Sequence, residues 1–179
     1  MKTNYKKDKK ETPLVIVLRG APGSGKTTTS ELLKKFIPKT VVISGDTLTA
    51  MVVPDKNHWR EFWPLGHEAA RILLEFFLKK KFNVVVEEIL PDVLHIERII
   101  AVAKNFQARV FVFQLEASLA ILNLRKKYLK PQMSRNLIKE LYGMVLRNPY
   151  PGAIKIDTTK LSPQECVDFI LGSIDGRRF

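Results

Sequence analysis

The stretch Leu14-Val15-Ile16-Val17-Leu18-Arg19-Gly20-Ala21-Pro22-Gly23-Ser24-Gly25-Lys26-Thr27-Thr28 decides the fold. It begins as an apolar, β-branched run, passes through a glycine-rich loop ending in Gly-Lys-Thr, and continues into a helical pattern through Leu32, Leu33 and Phe36. That order is what a phosphate-binding loop requires. Gly20, Gly23 and Gly25 allow dihedrals closed to residues with a Cβ, so successive N–H groups turn inward as an anion-binding concavity. The concavity sits at a helix N-terminus, where unpaired donors and the helix dipole both favour negative charge. Lys26 is placed to reach the β- and γ-phosphates of a nucleoside triphosphate, and the Thr27 hydroxyl to join a Mg²⁺ shell. The segment Gly20 to Thr28 is therefore the candidate nucleotide-binding loop.

Outward from the loop, apolar strands and helical patterns alternate. Thr40 to Ser44 reads as a second strand ending in Gly45-Asp46-Thr47, and Leu48 to Val52 as a short helix. Ligands in open parallel sheets bind beyond the carboxyl ends of the strands, so Asp46 stands at the mouth of the site as a catalytic candidate. It would serve equally as the N-cap of the short helix. Asn83 to Ile89 is a third buried strand ending in Glu87-Glu88. A carboxylate in that place holds a magnesium-bound water, which favours Glu87, while Glu88 faces the other way, toward an acceptor.

Between these strands, residues 53–65 hold Trp59 and Trp63 in a proline-bounded stretch that reads either as a lid or as a satellite core, and His58 within it is not assigned catalysis. A helix follows from Gly66 to Lys81, with His67 and Arg71 near its start and able to face the site. Further on come a helix over 92–105, a fourth strand from Ala108 to Leu115, and a helix from Ser118 to Tyr128. That last helix opens the densest basic segment of the chain, residues 125–135. Such a segment after the fourth strand can close over a triphosphate and supply arginines to the transferring phosphoryl group, or be a solvated helix end. Arg125 is the first candidate, Arg135 the second, and Arg147 a third. A helix from Asn136 to Leu146, a fifth strand over Ala153 to Ile156, and a helix from Gln164 to Leu171 introduced by Ser162-Pro163 complete the pattern.

Composition sets the outer bounds. At 179 residues, with 45% hydrophobic and 27% charged, the chain fits one globular domain over residues 13–179, preceded by a flexible basic segment over 1–12. Thirty Lys and Arg against eighteen Asp and Glu give a net charge of +12, which suits a polyanionic partner such as nucleic acid, or ATP and a phosphorylated acceptor, as well as a merely solvated surface. The single Cys166 excludes an internal disulfide and suits a cytoplasmic, reducing compartment. No run is apolar enough for a membrane span, and the N-terminus lacks the apolar stretch of a secretion signal.

Taken together, Gly20 to Thr27, Ser44-Gly45-Asp46-Thr47-Leu48 with Ala50-Met51 beyond it, the acid-ended third strand, the basic segment near Arg125 and Ile156-Asp157-Thr158-Thr159 resemble the P-loop kinases, the NMP-kinase-like P-loop NTPases. Within them the chain is most similar to the chloramphenicol phosphotransferase-like group, with zeta toxins and polynucleotide kinases as neighbours. The resemblance implies a three-layer α/β/α sandwich, a five-stranded parallel sheet of order 2-3-1-4-5, and transfer of the γ-phosphate of ATP to a hydroxyl. It implies Asp46 as general base, an arginine at or near Arg125 as the lid arginine, and Thr158 and Thr159, in the loop from Asp157 to Lys160, beside the adenine. Glu87-Glu88 stand where chloramphenicol phosphotransferases carry paired aspartates, as in the zeta toxins, and Thr49 stands where polynucleotide kinases place an arginine. The expected activity is thus an ATP- and Mg²⁺-dependent kinase acting on a small-molecule hydroxyl. A polynucleotide or tRNA 5′-hydroxyl kinase is the second reading, and a nucleotide-dependent regulatory protein without transfer the third.

Overall fold

A computed structural model describes residues 12–53, 59–129 and 133–176 of the chain. Five strands, β1 (Leu14–Arg19), β2 (Thr40–Ser44), β3 (Asn83–Glu88), β4 (Arg109–Glu116) and β5 (Ile154–Asp157), form one parallel sheet in the order β2-β3-β1-β4-β5. Helices α1 (Lys26–Phe36) and α7 (Pro163–Ile174) cover one face of it, and α3 (Trp59–Lys79) and α4 (Val93–Asn105) the other. This is the expected three-layer sandwich and strand order of a P-loop NTPase. The remaining helices, α2 (Gly45–Ala50), α5 (Leu119–Arg125) with a 3-10 turn (Lys126–Tyr128), and α6 (Arg135–Arg147), follow the carboxyl ends of β2 and β4. Those ends are where the ligand cleft forms.

β1 explains the layering. Leu14, Ile16 and Leu18 point toward α1 and α7, while Val15 and Val17 point toward α3 and α4. A strand covered on both faces has no polar position until its end, which is why it reads as a continuous apolar run. The next residue on the α3 side is Arg19, fully buried, and the register sets Glu88 of β3 and Gln114 of β4 beside it. The Arg19 guanidinium donates at 3.0 Å to the carbonyls of Leu90 and Asn148, tying β1 to the loops after β3 and α6. Leu90 takes a positive φ of 47°, a conformation that leucine adopts only where its surroundings impose it.

Three elements differ from the sequence expectation. The short helix after β2 begins at Gly45 rather than Leu48, because the Ser44 hydroxyl accepts the Thr47 N–H at 3.3 Å and caps it. Asp46 therefore lies in the first turn and is not the cap. Helix α3 begins at Trp59, so the second half of the supposed irregular stretch is helical. Pro64 falls in its second turn, where it forfeits a single backbone hydrogen bond to Arg60, while packing of the helix face outweighs that loss. Trp63 belongs to a satellite core with Ile89, Leu137, Leu141 and Val145, and Arg60 pairs with Glu140, so α3 and α6 are joined. α7 runs three residues further than expected, to Ile174, and opens on a capping box between Ser162 and Glu165. His58, residues 1–11 and residues 130–132 of the basic segment lie outside the described residues.

Gly66, Ala70, Leu74 and Leu78 are the buried stripe of α3, and its small end lets α2 approach closely. A Cβ on Gly66 would lie 2.0 Å from the Thr49 hydroxyl and 3.0 Å from the Thr49 backbone nitrogen. Gly66→Val should lower unfolding stability by about 1–3 kcal/mol in urea denaturation, because the neighbour is partly backbone and cannot simply rotate away. An unchanged urea midpoint would contradict the close packing of α2 on α3.

Candidate active site

The phosphate loop leaves β1 at Gly20 and enters α1 at Lys26. Gly23 and Gly25 have φ of 83° and 97°, so their requirement for glycine is conformational; nothing lies within 4 Å of where a Gly25 Cβ would be. Gly20, at φ 154°, is constrained by space as well, since a Cβ would lie 2.4 Å from the Leu115 carbonyl. The buried Lys26 ammonium donates to the carbonyls of Gly20 at 2.9 Å and Ala21 at 3.2 Å. Burial pushes it below its ordinary value, while the charges of Asp46, Glu87 and Glu88 pull the other way.

Three carboxylates surround it. The Thr27 hydroxyl donates to Glu87 Oε1 at 3.1 Å, and Glu87 Oε2 is buried without a partner. Burial raises the Glu87 carboxyl above its usual range, opposed by Lys26 and by hydrogen bonds from Thr27 and Ser44. Glu88 faces the α3 side, as strand alternation requires, and pairs with His67 Nε2. Its carboxyl carbon lies 2.3 Å from where a Gly45 Cβ would be, so only glycine lets Glu88 sit against the start of α2 beside Asp46. Burial raises Glu88 as well, opposed first by its hydrogen bond to His67. Asp46 is raised by burial and held back by the charges of Lys26 and His67.

Lys26, Asp46 and Glu87 border a cleft of about 760 Å³, large enough for a nucleotide, running from Asp46 and Thr47 past the loop to Leu161, Pro163 and Cys166. Pro22, Gly23, Ser24, Gly25, Lys26, Thr27, Thr28, Asp46, Glu87, Arg125 and Thr158 of the sequence candidates line it. Thr159 does not; its hydroxyl accepts the Ser118 N–H at 3.2 Å. The Arg125 guanidinium donates to the Gly23 carbonyl at 3.3 Å and to the Thr158 hydroxyl and carbonyl at 3.0 and 2.7 Å. It braces the loop against the segment after β5 and is not a free arm. Arg135, the first residue of α6, and Arg147, the last, are exposed and outside the cleft lining. The basic segment is spread along two helices, which separates its arginines. Sequence reasoning did not single out Tyr128, Leu129 and Met133 on the wall, or the contact of His67 with Glu88. The last had a faint signal in a histidine one turn from the small-residue face of α3.

Two hard oxygen ligands, Thr27 and Glu87, suit a Mg²⁺ ion whose other ligands are phosphates and water. Among the described residues no group of three or more His, Cys, Asp or Glu could hold a metal by itself. None of the helices described is long and apolar enough to cross a membrane.

A phosphate loop heading β1, an acid-ended β3 beside it and this strand order define a P-loop protein of the NMP-kinase type. The chain belongs to the AAA domain family, whose model matches residues 15–140. It is 26% identical over 165 residues to a Sulfurisphaera tokodaii protein named "Putative adenylate kinase", covering 89% of this chain and 82% of that one. Its fold is similar to that of a gluconokinase from Sinorhizobium meliloti 1021, with TM-score 0.67, 19% identity, and 93% and 94% of the two chains covered. It is also similar to the APS kinase CysC of Mycobacterium tuberculosis in complex with AMPPNP and APS, with TM-score 0.67, 17% identity, and 92% and 98% covered.

Because burial raises the Asp46 carboxyl, the folded state binds its proton more tightly than the unfolded chain, and ionising it costs stability as pH rises above its ordinary value of 3.8. Asp46→Asn should therefore raise Tm relative to the parent, by a margin that grows with pH from that value and then levels. A margin independent of pH would show that Asp46 is not held in its raised state by the fold. For Arg125, replacement by Met should weaken ATP binding roughly tenfold by releasing Gly23, as read by calorimetric titration; unaltered affinity would remove the bracing role.

Proposed function

We propose that the chain is an ATP- and Mg²⁺-dependent kinase that transfers the γ-phosphoryl group of ATP to a hydroxyl of a small-molecule acceptor. The observation that carries this reading is the position of Asp46. Ser44 takes over the capping of α2, which leaves the Asp46 carboxylate lining the same cleft as Lys26, Thr27 and Glu87. A half-buried carboxylate beside the phosphate loop has a use when the acceptor must lose a proton. A phosphate acceptor, as the name of the Sulfurisphaera tokodaii relative suggests, is already an anion and has no such need. The gluconokinase and the APS kinase bound to AMPPNP support kinase chemistry on this fold.

In the reaction the acceptor oxygen bonds to the γ-phosphorus as the bond from that phosphorus to the β,γ-bridging oxygen breaks, releasing ADP. Asp46 accepts the hydroxyl proton. Lys26 and the amides of residues 23–27 hold the β- and γ-phosphates, and their charge meets the negative charge that develops on the bridging oxygen. Thr27 and Glu87 would hold Mg²⁺, which supplies charge neutralisation at the β- and γ-phosphates. Arg125 keeps the loop in place through Gly23 and Thr158.

The +12 charge favours one competing acceptor, a polynucleotide with a free 5′-hydroxyl. Transfer from γ-labelled ATP, run in parallel on such an oligonucleotide and on a pool of small hydroxyl compounds, separates the two. The label should enter the small-molecule pool and be lost in Lys26→Ala. Asp46→Asn should lower turnover by roughly 10² or more with ATP binding retained. Label on the oligonucleotide alone would replace the acceptor assignment, and unchanged turnover in Asp46→Asn would remove its role as base.

A further inference from the structure

A second, smaller pocket of about 50 Å³ opens between α3 and α4, with Glu88 in its wall. The adjacent His67 and Glu68 and, one turn on, Arg71 of α3, with His95 and Arg98, one turn apart on α4, line it together with Glu88. Its volume is that of roughly three or four waters, about the bulk of one tetrahedral oxyanion.

The polar groups are arranged unevenly. Glu88 pairs with His67 and Glu68 with Arg71, so each carboxylate engages α3 and orients a side chain there. Arg98 lies close enough to bear on both Glu68 and His95. Two arginines balance two carboxylates, and burial lowers His95 from its ordinary value, which leaves its imidazole a neutral N–H donor. His67 is more than nine-tenths buried; its Nε2 is committed to Glu88, and its Nδ1 has no hydrogen-bond partner. The His95 ring stands edge-on to it with centroids 3.9 Å apart. The two arginine heads and the His95 ring thus converge on one small cavity, a donor set suited to an anion. The net charge of +12, for which the triphosphate site uses little, agrees with an anionic one.

We propose that this pocket binds an oxyanion, a phosphate monoester at the end of the acceptor remote from the reacting hydroxyl. Arg71, Arg98 and His95 are its donors. Arginine forks match the paired oxygens of a phosphate, and Glu68 keeps one fork aligned. The acceptor then spans Glu88, with its hydroxyl at Asp46 and its phosphate between the two helices. This assignment rests on the kinase reading for the acceptor but not for the pocket itself.

Histidine-labelled protein, saturated with Mg²⁺ and a non-hydrolysable ATP analogue to fill the phosphate loop, is titrated with inorganic phosphate while the imidazole resonances of His67 and His95 are followed, assigned through His95→Gln. Both should shift saturably, and the affinity should fall roughly tenfold or more in Arg71→Ala/Arg98→Ala. Absent shifts, or equal shifts in the double variant, would overturn the pocket. In the kinetic arm, matched hydroxyl acceptors with and without a distal phosphate are compared. The phosphorylated member should show a KM at least roughly tenfold lower, and the double variant should abolish that difference. Transfer to both members with equal KM overturns the acceptor assignment while leaving the kinase reading intact. Histidine shifts in a protein that transfers to neither member would overturn the kinase reading instead.

Discussion

A buried ammonium ringed by carbonyls and carboxylates is the constraint on which the rest of this structure depends. Lys26 is removed from water, and the Gly20 and Ala21 carbonyls with the negative charges of Asp46, Glu87 and Glu88 compensate for that. Each carboxylate is itself pushed toward its neutral form by burial, and the lysine and, for Asp46 and Glu88, the imidazole of His67 oppose that push. The groups stabilise one another as a set. Their geometry follows from the parallel register, in which Ser44, Glu87 and Leu18 stand level, as do Glu88, Arg19 and Gln114. One residue beyond the apolar core on each strand is enough to bring them together.

That register also separates two faces at the edge of the sheet. Glu87 turns toward α1 and the phosphate loop, and Glu88 toward α3 and its histidine. An adjacent pair of acids thereby serves two compartments without either side chain bending out of its strand. Gly45 and Gly66 admit this arrangement from the α2 side, one by leaving room for the Glu88 carboxyl and the other by letting α2 lie on α3.

The strands and the phosphate loop were legible because they rest on local patterns, β-branched runs, glycines and acids at strand ends, whereas the strand order followed only from the resemblance to the P-loop kinases. The start of α3 was not, since Pro64 and two tryptophans imitate a loop, and only the tertiary core formed by Trp63 with Leu137 and Leu141 makes the segment helical. The cap of α2 was misplaced for a similar reason, Ser44 and Asp46 being equally good cap residues until the strand end is known. Arg125 was found by its basic surroundings, but its hydrogen bonds to Gly23 and Thr158 span 102 and 33 residues of chain and leave no trace in local sequence. Arg135 shared those surroundings, and it and Arg147 lie outside the cleft lining. The pairing of His67 with Glu88 joins residues on different elements, and only the place of His67 near the start of α3 hinted at it.

Helix α6 touches both halves of the cleft. Through Ile138 it packs with Ala21 of the phosphate loop, and through Leu137, Leu141 and Glu140 it grips Trp63 and Arg60 at the head of α3. A single rigid rod thus rests on the wall of each compartment, and a displacement of it is felt in both. Any synergy between the two ligands that arises this way is mutual by thermodynamic necessity: the factor by which the nucleotide tightens the hold on its co-substrate equals the factor by which the co-substrate tightens the hold on the nucleotide.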